Sequence, residues 1–201
     1  MNLLAHAYLS NRQDGLIVGN FMGDFIKGDP THPRHELTPV EIMGVRLHRA
    51  IDTFTDAHAE VAAARTLLYP RCHKYAGVAV DVFFDHFLAI RFGELTGDSL
   101  AGFTRFFYET LQRHTDRLPV PARRMLSAMV QYDWVTHYQT TDGIDRSLKG
   151  LSRRTTFASG LDSAIVDFER YYFQIGNHFD YFWPQLAAHA RQTLVRLSTV
   201  G

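Results

Sequence analysis

Residues 78–90 read VAVDVFFDHFLAI, a run that is apolar almost throughout yet carries Asp81, Asp85 and His86. The spacing predicts a helix over about Lys74 to Leu95. At roughly 100° per residue, Val78, Val82, Asp85, Leu88, Ala89 and Phe92 share one side, with Asp81 about 40° from Asp85. Val80, Phe83, Phe87 and Ile90 make the other side apolar as well. A helix that is hydrophobic all round is enclosed by its neighbours, so this segment is the expected centre of an all-α fold. Asp81 and Asp85 are then expected to be substantially buried. A buried ionised carboxylate must be paired, hydrogen-bonded or metal-bound, or its pKa rises until it is neutral.

Working outward, helical spacing continues in both directions and clear strand alternation is hard to find. Helices are expected at Leu3–Asn11 and Leu16–Lys27, followed by a polar loop, GDPTHPRHEL. Thr38-Pro39-Val40-Glu41 has the pattern of a capping box, opening a helix that runs to about Phe54. Asp56 is the expected cap of a short helix through Leu68, which Pro70 ends. Beyond the central helix, Asp98 or Ser99 caps a segment rich in aromatics that stops before Pro119. Further helices are expected at Ala122–His137, Asp142–Arg153, Leu161–Gln174 and Asn177–Leu197, with Pro184 kinking or splitting the last. With 201 residues, 46% of them apolar, and no repeat or linker, the reading is a single compact multi-helix domain over residues 1–201.

The formal net charge is zero, which argues against nucleic acid held by charge alone. No apolar run reaches the roughly 20 residues of a membrane span, and the N-terminus lacks the cationic start of a signal peptide. A single cysteine, Cys72, excludes an internal disulfide framework. A cytoplasmic protein is the expectation.

Eleven histidines are the unusual part of the composition. His6 lies in NLLAHAYL, Asp24 in LIVGNFMGDFIKG, and His48 with Asp52 forms an i, i+4 pair along the edge of an apolar stripe of the capped helix. Gly19 and Gly23, four apart, allow another helix to approach closely. Each polar residue alone can be a hydrogen-bonded core group. Together, four helices each carry an Asp or His in hydrophobic surroundings, and one shared metal ion would satisfy them at once. Mixed His and Asp ligation without thiolate suits Mn, Fe, Zn or Mg. Such an ion activates water and polarises phosphoryl oxygen, and Arg46 and Arg49 stand ready for an anionic phosphate ester. His86, about 100° from Asp85, either ligates from the edge or acts as an acid.

In order, MNLLAHAYLS, GNFMGDFIKG, VRLHRAIDTFTD and DVFFDHFLA resemble the bacterial acyl carrier protein phosphodiesterases. The resemblance is close over about the first half of the chain. It implies a divergent HD-domain-like metallohydrolase that prefers Mn2+, with Mg2+, Fe2+ or Zn2+ as alternatives, and serves lipid metabolism. It also implies cleavage of holo-acyl carrier protein to the apo protein and 4′-phosphopantetheine. By position it points to His6, Asp24, His48, Asp81, Asp85 and His86 as the metal set, and to Asp24, His48, Asp52, Asp85 and His86 as catalytic. Asp85-His86 reverses the His-Asp order of ordinary HD proteins, and which of Asp81 and Asp85 touches metal stays open. The acidic carrier calls for a basic docking patch, for which Arg65, Arg71, His73 and Lys74 are the expected residues, and Arg46, Arg49, Arg71 and Lys74 are the expected substrate contacts. Tyr171, Tyr172, Phe173, Phe179, Tyr181, Phe182 and Trp183 either line a pantetheine channel or fill the core. Two rival readings share these residues: a phosphohydrolase of nucleotides or other small phosphoesters, and a non-catalytic helical binding protein.

Overall fold

The computed structural model describes residues 3–199. Twelve α-helices are formed among them, and no strand: α1 Leu3–Leu9, α2 Asp14–Met22, α3 Pro39–Ala57, α4 Ala59–Cys72, α5 Ala76–Ile90, α6 Phe92–Thr96, α7 Leu100–Arg113, α8 Val120–Gln131, α9 Trp134–His137, α10 Thr141–Ser152, α11 Ile165–Arg170 and α12 Tyr172–Thr199. The all-α expectation is met. No described helix is long and apolar enough to cross a membrane.

The greasy stretch is the centre of the molecule. Helix α5 packs against α1, α4, α10 and α12, and its Val80, Val82, Phe83, Phe84, Phe87 and Leu88 are buried. Asp85 is only 1% exposed, as expected, whereas Asp81 is half-buried and Ile90 exposed. The reason is register: Asp81 lies in the first half of the helix, where the wall of neighbours opens into a small polar recess that it shares with Arg65, His73 and Lys74. The aromatics of α12 divide: Phe179, Phe182 and Trp183 are core, while Phe173 and Tyr181 face outward.

Helix α3 starts as its chemistry dictates. The Thr38 hydroxyl accepts from the Glu41 amide at 3.3 Å, and the Glu41 carboxylate accepts from the Thr38 amide at 2.7 Å. Other boundaries differ from expectation for local reasons. His58, not Asp56, caps α4 through its ring nitrogen, because α3 runs on to Ala57 and leaves Asp56 inside its last turn, paired with Arg65 at 2.5 Å. Pro70 lies inside the last turn of α4, where its missing N–H removes one bond and the helix still continues to Cys72. Asp133 adopts a left-handed φ of 43°, which breaks the expected Ala122–His137 helix into α8 and α9. Pro184 is accommodated within a continuous α12.

Helices α2 and α3 pack backbone against backbone, and two glycines allow it. A Cβ on Gly19 would come within 2.1 Å of the Glu41 carbonyl oxygen, and one on Gly44 within 2.6 Å of the Leu16 carbonyl oxygen. Only hydrogen at these positions lets the backbones touch, which brings the buried ends of both helices together.

Candidate metal centre

Three helices deliver the site. His6 stands on α1 beneath a cover of core side chains, Asn20 on α2, Asp24 in the turn just after α2, and His48 and Asp52 on successive turns of α3. The Asp52 carboxylate receives both imidazoles: His6 Nε2 is 3.1 Å from Oδ1 and His48 Nε2 is 3.0 Å from Oδ2. Asp24 Oδ1 lies 3.4 Å from the same His48 nitrogen. The imidazole side chains are 6% and 5% exposed, against 45% for Asp52 and 39% for Asp24, so the histidines form the floor and the carboxylates the solvent edge. Gly23 is required here too, since a Cβ there would strike the His48 ring at 2.2 Å.

The back of the floor fixes the protons. Ser10 Oγ donates to the His6 carbonyl at 2.9 Å, and Asn20 Nδ2 donates to that carbonyl at 3.1 Å and to Ser10 Oγ at 3.0 Å. The amide is thereby oriented, and its Oδ1 can only accept. It accepts from His6 Nδ1 at 2.8 Å and His48 Nδ1 at 3.1 Å, so both Nδ1 atoms carry protons. Each neutral ring then presents an Nε2 lone pair to a carboxylate oxygen. Two lone pairs about 3 Å apart repel unless a cation stands between them, whether a proton or a metal ion.

The electrostatics follow. Burial works against charge on His48, but hydrogen bonds to Asp24 and Asp52 outweigh it and hold its pKa at about 9. Burial dominates at His6 and lowers its pKa against the pull of Asp52. Asp52 would be raised by its own burial, yet His48 and His6 take it well below the ordinary carboxylate range. The His48 contact likewise lowers Asp24. With His6 neutral, the group holds one fewer proton than it has converging nitrogens. His6, His48 and Asp52 offer donor atoms within 4.8 Å of one another, the one such triad of His, Cys, Asp and Glu among the described residues. Paired imidazole nitrogens, each with its other nitrogen tied to a fixed acceptor, and a carboxylate fit a divalent metal ion.

The remaining expected residues lie elsewhere, for reasons visible in the register of α5. Asp85 faces the start of α1, where Oδ2 accepts from the Leu4 amide at 2.8 Å and Oδ1 from the Ala5 amide at 3.1 Å. It caps the helix that carries His6 and does not join the triad; burial raises its pKa to about 7. His86, one position on, turns toward α9 and α12: Nδ1 donates to the Tyr138 carbonyl at 2.8 Å and Nε2 lies 3.1 Å from the Tyr172 hydroxyl. Burial lowers its pKa, in keeping with a neutral cross-link. Asp81 borders the polar recess described above.

Among the arginines, Arg49 donates to the Ile26 and Gly28 carbonyls at 2.9 and 2.8 Å and pins the loop behind Asp24, while Arg46 is exposed. Arg71 is held by Asp167, with Nε 2.5 Å from Oδ2, so it braces α4 against α11. His73 and Lys74 are exposed, Lys74 with its ammonium 4.6 Å above the Phe157 ring. Asn20 was not singled out by the sequence reading. Its signal is a 1% exposed amide inside the apolar run LIVGNFM, a polar group that must find buried partners.

The sequence profile of the acyl carrier protein phosphodiesterase family matches residues 1–186. Relatives of that name include a Klebsiella pneumoniae (strain 342) protein, 32% identical over 92% of this chain and 95% of its own. Another, from Serratia proteamaculans (strain 568), is 29% identical over 95% of this chain and 98% of its own. A third, from Escherichia coli O157:H7, is 27% identical over 94% and 97%. No solved structure matches the chain.

Proposed function

The chain belongs to the acyl carrier protein phosphodiesterase family, and on that premise we propose that it is a metal-dependent hydrolase of holo-acyl carrier protein. It cleaves the phosphodiester between the prosthetic arm and the carrier's serine, leaving apo-carrier and 4′-phosphopantetheine. One observation carries the metal part of this reading: two buried imidazoles, both anchored by Nδ1 to Asn20 Oδ1, converge by Nε2 on Asp52.

In this reading His6, His48 and Asp52 hold a divalent cation, Mn2+ in first place, with Asp24 beside them at the solvent edge. When bound, the cation lowers the pKa of water and polarises a phosphoryl oxygen. Asn20 keeps both imidazoles in the tautomer that leaves Nε2 free, and Asp85 secures the start of the helix bearing His6. Asp24, 39% exposed and held near His48, takes the proton of the attacking water. Water oxygen bonds to phosphorus, the bond from phosphorus to the serine oxygen breaks, and the proton taken up by Asp24 is passed on to that leaving oxygen. The kinship with HD-domain proteins belongs to the same proposal and is supported by a His–Asp pair on one helix. Exposed Arg46 on α3 and exposed His73 and Lys74 after α4 are the cations we assign to the phosphate and the acidic carrier. A cytoplasmic setting agrees with a single, buried cysteine.

The test is incubation of the protein with holo-acyl carrier protein and Mn2+, followed by mass spectrometry of the carrier. Loss of the phosphopantetheine mass, abolished by a chelator and by Asp52→Asn, is the expected result. Intact carrier beside hydrolysis of a simple phosphodiester would move the assignment to a small-molecule phosphohydrolase.

A further inference from the structure

A second cavity is lined by none of His6, Asp24, His48 and Asp52. It measures about 710 Å3 and opens between α5, α8, α9 and α10. That is within the range of small-molecule sites, roughly 300–1,000 Å3, and far above the ~30 Å3 share of one water. Its floor is aliphatic and aromatic: Leu3, Val78, Val82, Met125, Trp134 and Leu151. Its positive charge is gathered on one wall, where Arg146, Lys149, Arg153 and Arg154 of α10 and the residues just after it line the opening. Among the described lining residues the one carboxylate is Asp133, so the lining is net cationic.

We propose that this cavity binds a long-chain carboxylate, with its tail on the floor and its head against the α10 cations. The pairing follows from the division of the lining. An apolar interior alone would take any greasy molecule, but a one-sided cationic rim selects an anionic head on a single tail. Guanidinium suits the head, because its planar fork matches a carboxylate. Arg146 and Lys149 are each steadied by an acid one turn earlier, Asp142 at 2.7 Å and Asp145 at 2.5 Å, and all four cations are exposed at the opening. Arg154 lies 5.7 Å over the Trp134 ring, which places a cation directly at the edge of the apolar floor. Met125 and Val78, half-buried, give the floor side chains that can adjust to a flexible chain. The site is separate from the proposed hydrolytic centre and does not depend on it.

Gly150 supplies the decisive variant. It lines the cavity, and a Cβ built there meets nothing within 4 Å. Gly150→Phe therefore fills the cavity from a helix position where replacing glycine favours the helix.

The test is isothermal titration of the full chain at low ionic strength, below micelle formation, with dodecanoate, decanoate and dodecylammonium. Dodecanoate is expected to bind one per chain, decanoate about 15-fold more weakly for two lost methylenes, and dodecylammonium at least about tenfold more weakly. Gly150→Phe is expected to abolish dodecanoate binding while keeping the thermal midpoint. The pair Arg146→Glu with Arg153→Glu, both surface changes, is expected to weaken dodecanoate about tenfold and strengthen dodecylammonium. Equal binding of the two head groups, or indifference to charge reversal as for a neutral thioester-linked acyl chain, overturns the proposal. So does non-saturating adsorption, or unchanged dodecanoate binding in a folded Gly150→Phe protein.

Discussion

One buried amide decides the protonation of the candidate centre. Because Asn20 Nδ2 is committed to the His6 carbonyl and Ser10, its oxygen is the acceptor for both imidazoles. Asn20→Leu keeps the volume and deletes that acceptor, so both rings lose their fixed tautomer. Mn2+ affinity, followed by titration with electron paramagnetic resonance, is expected to fall by about 10–100-fold. Asp85 works through a different term. Burial raises its pKa from 3.8 to about 7, so the folded protein favours the protonated form. Its contribution is then complete below about pH 4, is lost as pH climbs from there toward 7, and has no further slope above. In that window the loss is about 1.4 kcal/mol per pH unit. Asp85→Asn has no proton to lose, so the stability of wild type relative to this variant, from urea melts at pH 4.5, 5.5, 6.5 and 8, is expected to decline and then level off. A flat difference would mean that the amides of Leu4 and Ala5 keep the carboxylate ionised throughout.

At the scale of elements, the spacing of α2 and α3 sets the site, because Asn20 and His48 reach each other only when the backbones nearly touch. Gly19→Ala drives a methyl into the Glu41 carbonyl. The expected cost is about 1–3 kcal/mol, with weaker metal binding as the helices part. Thr38→Ala, at the far end of α3, removes one half of the capping box and is expected to cost ~1 kcal/mol with metal affinity unchanged. Comparing the two variants separates helix stability from helix spacing. The capping box, the Gly19–Gly23 spacing and the burial of α5 were legible in sequence because each is a local pattern with one physical outcome, whereas Gly44, the other half of the α2–α3 contact, stands in no such pattern. The partition of polar residues was less so. His6, Asp24, His48 and Asp52 converge as a shared-ligand argument suggests, yet Asp85 and His86, as buried as the two histidines of that set, answer to the amides of α1 and to Tyr138 and Tyr172. Helical periodicity gives the direction of a side chain and not the identity of the element it meets. The break at Asp133 was hidden for a related reason, since Asp enters the left-handed region more readily than most residues but sits at least as often within a helix.

For the molecule as a whole, the centre ties together the first three helices, while packing, the Arg71–Asp167 pair and the His86 cross-link hold the C-terminal half. Its donor atoms are brought within 4.8 Å only by the fold, so a cation that binds them binds the native state alone. Mass action then converts occupancy into stability: at a free concentration one hundred times its dissociation constant, Mn2+ adds about 2.7 kcal/mol. For a chain of 201 residues, each kcal/mol moves the melting midpoint by roughly 2–4 °C. A rise of roughly 5–10 °C is therefore expected on saturation with Mn2+, read by calorimetry and reversed by a chelator. Asp52→Asn should show no such rise, because the amide neither carries the charge nor bridges both imidazoles. Asp85→Asn should keep it in full, since Asp85 stands behind α1 and not among the donors. A metal-dependent shift lost in Asp85→Asn but kept in Asp52→Asn would relocate the cation from α3 to the buried wall of α5.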